Sequence, residues 1–207
     1  MRVLGLDPGE TTGFALIDVS GKHLEAVTYG IIPRLYPGDA GLVKSVREWL
    51  EFFTVVQKLR TSGNEFAFEE AIARYRMPTR REAVEVRAVI REWLIINKPV
   101  DFKSYTPQEI RSQFGLPQKG PVKAATADFV SKCLGYKPNG PDHVTDAFAV
   151  ALCHALHLNI WLPQIDMRKY SAMASRAVGH RSKPIDVGRM TSAELRDAIN
   201  SGKVRLR

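Results

Sequence analysis

The sequence predicts an α/β fold in which a mixed five-stranded sheet is flanked by helices. Three strand-like segments, at residues 2–8, 14–19 and 23–32, follow one another with short connections, which favours an antiparallel meander. Two later strand-like segments, at 65–71 and 100–106, are each preceded by a helical segment. Alternation of this kind is typical of an α/β layer. The predicted element order is therefore βββ-α-β-α-β-α-α-α.

Hydrophobic periodicity predicts five helices between and after these strands. Residues 39–60 and 79–97 carry apolar residues at intervals of three or four. The second of these helices has Arg80, Arg87 and Arg91 outside its apolar face. That face consists of Ala83, Val86, Ile90, Trp93 and Leu94. The remaining helices are predicted at 107–114, 121–134 and 142–160.

The composition of the chain argues against several classes of protein. Of the 207 residues, 44% are hydrophobic, and no run reaches the roughly 18 apolar residues that a membrane span requires. The N-terminal segment resembles a strand rather than a signal peptide. The two cysteines, Cys133 and Cys153, predict neither a disulfide framework nor a zinc site. We expect a cytoplasmic protein, in a bacterial cell or in a host cell if a phage encodes it, without a membrane or small-molecule cofactor.

Positive charge is concentrated at the C-terminal end of the chain. The formal net charge is +8, and residues 168–207 contain ten Lys or Arg against three acidic residues, whereas residues 1–167 are nearly neutral. Apolar periodicity weakens in this region, where a capping-box pattern predicts one short helix. We therefore expect a domain at 1–162 and a basic tail at 163–207. The charge favours a polyanionic partner.

Acidic side chains stand at the ends of three predicted elements. Asp7 closes an apolar strand just before Pro-Gly, and Glu69 and Glu70 close another strand. His143 and Asp146 are three residues apart at the start of the last core helix, so they share a face. Hydrolysis of a phosphodiester by two divalent ions, roughly 4 Å apart, needs several carboxylates that converge on them. Alternation along the second strand does not decide which glutamate would face such a site.

Three motifs in this order resemble those of RuvC-type Holliday-junction resolvases. The segment GLDPGETTGFALID is similar to their first motif, FAFEEA to their second and PDHVTDAFAVALCHA to their closing helix. The resemblance covers about residues 2–158 and implies a ribonuclease-H-like core. It selects Glu69 rather than Glu70. The catalytic and metal-binding residues that it implies are Asp7, Glu69, His143 and Asp146.

The resemblance implies a metal-dependent endodeoxyribonuclease that resolves Holliday junctions by paired nicking. Two Mg²⁺ ions per active site, replaceable by Mn²⁺, would serve a reaction that leaves 5′-phosphate and 3′-hydroxyl ends. His143 would either ligate an ion or position water. Four-way or branched DNA would be the partner of a homodimer, with the apolar face of helix 79–97 either at the dimer contact or packed on the sheet.

Two alternatives to a strict resolvase stay open. One is a broader structure-selective nuclease that cuts forks, flaps and other branched DNA or processes RNA, and the other is a non-catalytic protein that binds branched DNA. Family members often carry an aromatic wedge after the second-motif glutamate, where this chain has Ile72, with Tyr75 three residues on. That departure favours the broader nuclease.

Basic residues near the second motif and before the last helices are candidates for DNA contacts. Neutralising phosphate charge supplies most of the non-specific affinity of a protein for DNA. Lysines and arginines at such places also occur as solvated surface residues. The candidate DNA-binding residues are Arg74, Arg76, Arg80, Arg81, Arg111, Lys119 and Lys123.

Overall fold

The order of helices and strands in the computed structural model is the order that the sequence predicts. The residues described are 1–59, 63–70, 81–97, 102–119 and 121–161. The strands are β1 (Arg2–Asp7), β2 (Gly13–Ser20), β3 (His23–Ile31), β4 (Glu65–Glu69) and β5 (Lys103–Tyr105). The helices are α1 (Gly38–Val56), α2 (Arg81–Asn97), α3 (Pro107–Gln113), α4 (Val122–Leu134) and α5 (Asp142–His157). The predicted tail at 163–207, Ile72 and Tyr75 lie outside the described residues.

The five strands form one mixed sheet in the order β3-β2-β1-β4-β5. β1 pairs antiparallel with β2, and β2 pairs antiparallel with β3, so the predicted meander is confirmed. β4 is parallel to both β1 and β5. The carboxyl ends of β1, β4 and β5 therefore lie at one edge of the sheet. The start of β2 reaches the same edge, because Gly13 pairs with Asp7.

Helices cover both faces of this sheet. Alternate residues of β1 point to opposite faces, so Val3 belongs to a core formed with α5, whereas Leu4 and Leu6 belong to a core formed with α1 and α2. α5 contacts β1, β2 and β4 directly. None of the helices within the described ranges is long and apolar enough to span a membrane.

The apolar face of α2 is buried inside the chain itself. Val86, Ile90, Trp93 and Leu94 are at most 1% exposed, and they pack with α1 and the strands. Of the two roles that the sequence allows for this face, packing on the sheet is therefore confirmed. The expectation that this face forms the contact of a homodimer is wrong, because burying it completes the core of one chain.

Two glycines let α5 lie unusually close to the sheet. A Cβ on Gly13 would overlap the carbonyl oxygen of His143, and a Cβ on Gly5 would overlap the carbonyl oxygen of Ala147. The hydrogen side chain of glycine is what allows a backbone to approach this closely. The first turn of α5 is consequently brought against the ends of β1 and β2.

Candidate active site

The four residues predicted to bind metal meet at the carboxyl edge of the sheet. Asp7 is the last residue of β1 and Glu69 is the last residue of β4, and these strands are parallel neighbours. His143 and Asp146 lie near the start of α5, three residues apart, and therefore project from one side of the helix. The fold thus brings all four side chains together from three elements that are distant in the sequence.

Asp7 is joined to α5 by a hydrogen bond with His143. Nδ1 of the His143 ring lies 2.7 Å from Oδ2 of Asp7, and Asp7 is only 7% exposed. The hydrogen bond and the negative charge of Asp7 raise the pKa of the His143 imidazole. The imidazolium and the carboxylate can then form a charge-assisted pair that holds α5 against β1.

Glu69 and Asp146 lie beside Asp7, each largely surrounded by protein with part of its surface open to solvent. Burial, reinforced by the charges of Asp7 and Asp146, raises the pKa of Glu69 from 4.5 to about 8. Burial and the charge of Asp7 also raise the pKa of Asp146, from 3.8 to about 6. Three carboxylates this close repel one another unless a proton or a cation offsets their charge. Such clustering is typical of functional sites.

Glu69 faces this cluster and Glu70 does not. Glu69 lines the same cleft as Asp146. Successive strand residues point to opposite faces of a sheet, and the carboxylate of Glu70 accepts a hydrogen bond of 2.8 Å from the hydroxyl of Ser104 on β5. Alternation alone does not decide which glutamate faces the site. The hydrogen bond between Glu70 and Ser104 shows that Glu70 is turned to β5, while Glu69 faces the cluster.

A cleft of about 180 Å³ opens between the end of β4 and helices α3, α4 and α5. Two acidic side chains, Glu69 and Asp146, and two basic ones, Arg111 and Lys123, line it together. Lys123 also lies near the start of α5, where its Nζ is 3.3 Å from Oδ2 of Asp142. A mixture of acidic and basic groups suits the simultaneous binding of a cation and a phosphate.

Of the other predicted basic residues, the two that the structure describes, Arg81 and Lys119, do not line this cleft. Arg81 is exposed and pairs with Glu85 one turn along α2, with Nε 2.7 Å from Oε1. Lys119 is exposed on the loop between α3 and α4. Arg74, Arg76 and Arg80 lie outside the described residues. A DNA contact by any of these residues stays a prediction.

Arg87 reaches the site although the sequence pattern indicates no role for it there. The sequence pattern places Arg87 off the apolar face of α2, yet its side chain is half-buried, and burial lowers its pKa. Its Nε and Nη2 donate hydrogen bonds of 3.3 Å to the carbonyl oxygens of Glu69 and Pro8. The adjacency of Arg87 to the buried positions Val86 and Ile90 is the signal that could have indicated partial burial.

A buried polar network, which the sequence pattern also does not indicate, lies at the far end of the contact between β4 and α5. Oη of Tyr105 is 2.9 Å from Nδ1 of His154, and Nε2 of His154 is 3.5 Å from Oε2 of Glu65. Glu65 and Glu69 share one face of β4, since they are four residues apart on a strand. These contacts join α5 to β4 and β5 about two turns along the helix from Asp146, whereas at the site itself the hydrogen bond of α5 is with Asp7 on β1.

The donor set of the site fits a divalent cation. Carboxylate oxygens are the ligands that Mg²⁺ and Mn²⁺ prefer. As the side chains stand in the part of the chain that is described, no three Asp, Glu, His or Cys residues enclose a single ion position. One Asp7 oxygen is instead bonded to His143, and the raised pKa of Glu69 favours a proton on that carboxylate. A bound cation would supply positive charge. In its absence, that charge comes from the proton on Glu69 and the proton between Asp7 and His143.

Comparison with family models matches residues 3–154 of this chain to crossover junction endodeoxyribonuclease RuvC. The crossover junction endodeoxyribonucleases RuvC of Thermotoga petrophila and Campylobacter jejuni are similar to it, each at 30% identity over 162 and 163 residues respectively. These alignments cover 75% and 77% of this chain and 93% and 99% of the two relatives.

Solved structures of a RuvC protein share the fold of this chain. The structure of Thermus thermophilus RuvC matches with a TM-score of 0.58 at 22% identity, covering 79% of this chain and 99% of the other. The structure of T. thermophilus RuvC in complex with Holliday junction substrate matches with a TM-score of 0.57 at 21% identity, covering 77% and 96%. These matches confirm the ribonuclease-H-like sheet. Together with the family match, they show that the chain belongs to the RuvC family of crossover junction endodeoxyribonucleases, which are nuclease hydrolases.

Proposed function

We propose that this chain resolves Holliday junctions by paired nicking, with Asp7, Glu69 and Asp146 as the residues that bind the catalytic cations. The convergence of these three carboxylates at one edge of the sheet carries the proposal. Its family, and the likeness of its fold to a RuvC protein in complex with a Holliday junction substrate, support the same substrate. The products would carry 5′-phosphate and 3′-hydroxyl ends.

Mg²⁺ is the proposed cation, with Mn²⁺ as a substitute and two ions in each active site. When bound, these ions would activate a water molecule and stabilise the leaving oxygen. The residues of the chain contribute the negative charge that binds them, and the exclusion of water strengthens the attraction between that charge and a cation. Asp7, Glu69 and Asp146 come from two strands and a helix, so the packing of the core fixes their relative positions.

His143 has two possible roles in this site. Its Nδ1 is engaged with Asp7, so in the tautomer that carries the proton on Nδ1 the other nitrogen, Nε2, retains its lone pair. That nitrogen could ligate a cation or accept a proton from a water molecule. Both roles require the neutral ring, which a nearby cation favours by opposing protonation.

Arg111 and Lys123 are proposed to hold the phosphate that is cleaved. Both line the cleft that contains Glu69 and Asp146. The contact of Lys123 with Asp142 joins two largely exposed side chains, and such pairs contribute little stability. Lys123 can therefore exchange Asp142 for a phosphate oxygen at small cost. Lys119 and the arginines at 74, 76, 80 and 81 are proposed to contact phosphates further along the DNA.

A homodimer remains part of the proposal, with a contact surface on α1 and α2 instead of the buried face of α2. The two helices lie side by side, and Nε1 of Trp93 donates to Oε1 of Glu51 at 2.7 Å. The exposed apolar side chains toward the C-terminal ends of these helices are Phe52, Val55, Val56, Ile95 and Ile96. A second copy on this surface would give two active sites for the two symmetry-related strands of a junction.

The oligomeric state of a double variant, Phe52→Lys with Ile95→Lys, tests this surface. We expect the wild-type chain to sediment as a dimer and the double variant as a monomer, because lysines would bury charge in the contact. Val84→Lys is the matched control, since Val84 is exposed at the opposite end of α2. A monomeric wild-type protein at micromolar concentration would contradict the homodimer.

The second candidate function is a broader structure-selective nuclease on forks, flaps and other branched DNA. Ile72, at the position where family members often carry an aromatic wedge, favours it. A wedge that fills the centre of a junction selects for four arms, whereas a smaller side chain selects less. Both candidates use the same proposed catalytic residues, so the substrate is what separates them.

Cleavage of labelled DNAs tests both functions directly. A four-way junction, a fork, a flap, a linear duplex and an RNA–DNA hybrid are compared with Mg²⁺ and with Mn²⁺. Symmetric paired nicks in the junction, with little cleavage of the other substrates, are the expected result. Equal cleavage of forks and flaps would instead support the broader nuclease, and junction binding without cleavage would support a non-catalytic protein.

A further inference from the structure

Arg87 links the ends of the two strands that carry Asp7 and Glu69. It projects from α2, and its guanidinium donates from Nε to the carbonyl oxygen of Glu69 and from Nη2 to that of Pro8, each at 3.3 Å. One side chain thus binds the backbone of both strands immediately beside the two carboxylates. The three residues lie on different elements, so this contact forms only when α2 is packed against the sheet.

These hydrogen bonds form where the pairing of the two strands ends. The paired register of β1 and β4 runs up to Leu6 with Phe68. Asp7 and Glu69 follow directly beyond that last pair. Asp7 is still paired with Gly13 of β2, and Glu69 with Tyr105 of β5, but the pairing between β1 and β4 ends one residue before each carboxylate. Arg87 extends the connection between β1 and β4 past that point.

An arginine suits this position better than another cation. Its guanidinium presents several donors in a rigid planar fork, whereas the ammonium of lysine is a single point on a flexible chain. The charge of Arg87 also lies close enough to Asp7 and Glu69 to offset part of their repulsion. An arginine that served only to meet phosphates would be exposed, as Arg91 is one turn further along α2.

We infer that Arg87 is a positioning residue that sets the spacing of the metal-binding carboxylates at the ends of β1 and β4 and offsets their charge. The inference rests on the metal-dependent cleavage proposed above. Arg87 acts through Asp7 and Glu69 and not on the DNA, because its guanidinium is turned to backbone carbonyls. Its removal should weaken cation binding and slow cleavage while leaving the affinity for junctions unchanged.

The test compares Arg87→Lys with Arg91→Lys in the full-length chain. Mn²⁺ binding without DNA is measured by electron paramagnetic resonance, and junction affinity is measured without metal. Single-turnover cleavage is followed over a range of Mg²⁺ concentrations. We expect Arg87→Lys to weaken Mn²⁺ binding and to lower the maximal cleavage rate by about tenfold to a hundredfold, as small displacements of catalytic groups do. Junction affinity, and all properties of Arg91→Lys, should match the wild type.

A second variant, Arg87→Met, removes the charge as well as the fork. Because loss of the positive charge alone would favour a cation, a loss of Mn²⁺ affinity in both variants comes from the lost fork. Melting temperatures show whether each variant folds. If Arg87→Met does not fold, the Mn²⁺ affinity of Arg87→Lys alone decides the test. Wild-type Mn²⁺ affinity in Arg87→Lys would overturn the inference, even if cleavage and melting temperature fell together, because that pattern indicates a merely structural role.

Failure of this inference can be told apart from failure of the proposed function. Asp7→Asn is included in the same measurements. If Asp7→Asn still cleaves junctions at the wild-type rate, the proposed metal site itself is wrong. If Asp7→Asn is inactive and Arg87→Lys is fully active, only the role of Arg87 is wrong.

Discussion

Asp7 and His143, 136 residues apart in the sequence, are joined by a hydrogen bond of 2.7 Å between Oδ2 and Nδ1. The contact ties the last core helix to the central strand at the point where the proposed cations would bind. It depends on Gly13, because any larger side chain there would overlap the backbone of His143. The close packing of α5 on the sheet is therefore what allows His143 to reach Asp7.

Replacing Asp7 by asparagine should abolish cleavage without preventing junction binding. The substitution removes the negative charge from the carboxylate nearest to His143 while keeping its shape. We expect cleavage to fall by about a hundredfold or more, since a direct metal ligand should matter at least as much as its outer-shell partners. Gel-shift measurements without metal supply the control, and cleavage within tenfold of wild type would remove Asp7 from the metal site.

Glu69→Gln and Glu70→Gln should have opposite effects. Glu69 lines the cleft with Asp146, whereas the carboxylate of Glu70 accepts a hydrogen bond from Ser104. A glutamine at position 70 can still accept that hydrogen bond through its amide oxygen. Single-turnover cleavage with Mg²⁺ should therefore be abolished in the first variant and largely kept in the second. The reverse result would place Glu70 in the site.

His143→Asp should keep activity that His143→Ala loses. Either aspartate or histidine can supply a ligand from this helical turn, whereas alanine cannot. In the metal-free protein, however, His143→Asp replaces a pair of opposite charges with two neighbouring carboxylates, which disfavours folding. We expect a lower melting temperature without metal and a larger increase on adding Mg²⁺. If the Asp variant is as inactive as the Ala variant, the imidazole has a role that a carboxylate cannot take.

The sequence predicts the convergence of the acidic residues better than it predicts what holds them. Asp7, Glu69 and Asp146 could be identified because each stands at the end or start of a regular element, and element ends follow from local patterns. Arg87 could not be assigned, since its partners are backbone carbonyls on strands distant in the sequence. Every residue has a backbone carbonyl, so the sequence does not show which carbonyl accepts a hydrogen bond from a distant side chain.

The face of α2 illustrates a second limit of sequence reasoning. Periodicity marks Val86, Ile90 and Trp93 as one apolar face but does not say whether the chain or a second copy covers it. The answer depends on α1, which lies beside α2 and closes the same core. Burial of Tyr105 against His154 likewise depends on the packing of α5 against β4 and β5. Which element covers an apolar face or a buried side chain is therefore set by tertiary structure and not by local sequence.

The stability of the metal-free protein should fall as the pH rises from about 5 to about 8. In the folded state the pKa of Glu69 is raised from 4.5 to about 8 and that of Asp146 from 3.8 to about 6. The folded state thus holds these protons more tightly than the unfolded state does. This stabilisation is complete below the unfolded pKa values and disappears as the pH passes through the folded ones. The raised pKa of His143 acts in the same direction.

Thermal unfolding over this pH range, with and without Mg²⁺, measures the effect. Cations replace the bound protons, so Mg²⁺ should raise the melting temperature most at the upper end of the range. Glu69→Gln is the control, because an amide cannot titrate. This variant should reduce the dependence above about pH 6 to the part that His143 contributes. A metal-free melting temperature that rises with pH would show that the carboxylates are not coupled as described.

The basic tail should strengthen DNA binding without choosing the substrate. Residues 168–207 carry ten Lys or Arg against three acidic residues. Phosphate contacts by such a segment position and tighten the complex but do not directly discriminate between DNA sequences. Its deletion retains Trp161, which is 2% exposed in the full chain and bridges to Gly21 on the β2–β3 turn, so every residue of the described core is still present.

Deleting residues 168–207 should therefore raise the dissociation constant for junctions. It should also flatten the salt dependence of binding, by roughly 0.9 log units for each phosphate that the tail neutralises in the full-length protein. The preference for junctions over duplex, compared at the same low salt concentration, should survive because we propose that it resides in the predicted domain at 1–162. A rival hypothesis is that the tail docks on this domain through Leu195 and Ile199. Truncation would then lower the melting temperature and leave the salt dependence nearly unchanged. Measuring both quantities on one truncated protein decides between them, and a steep salt dependence that persists after truncation contradicts the electrostatic role.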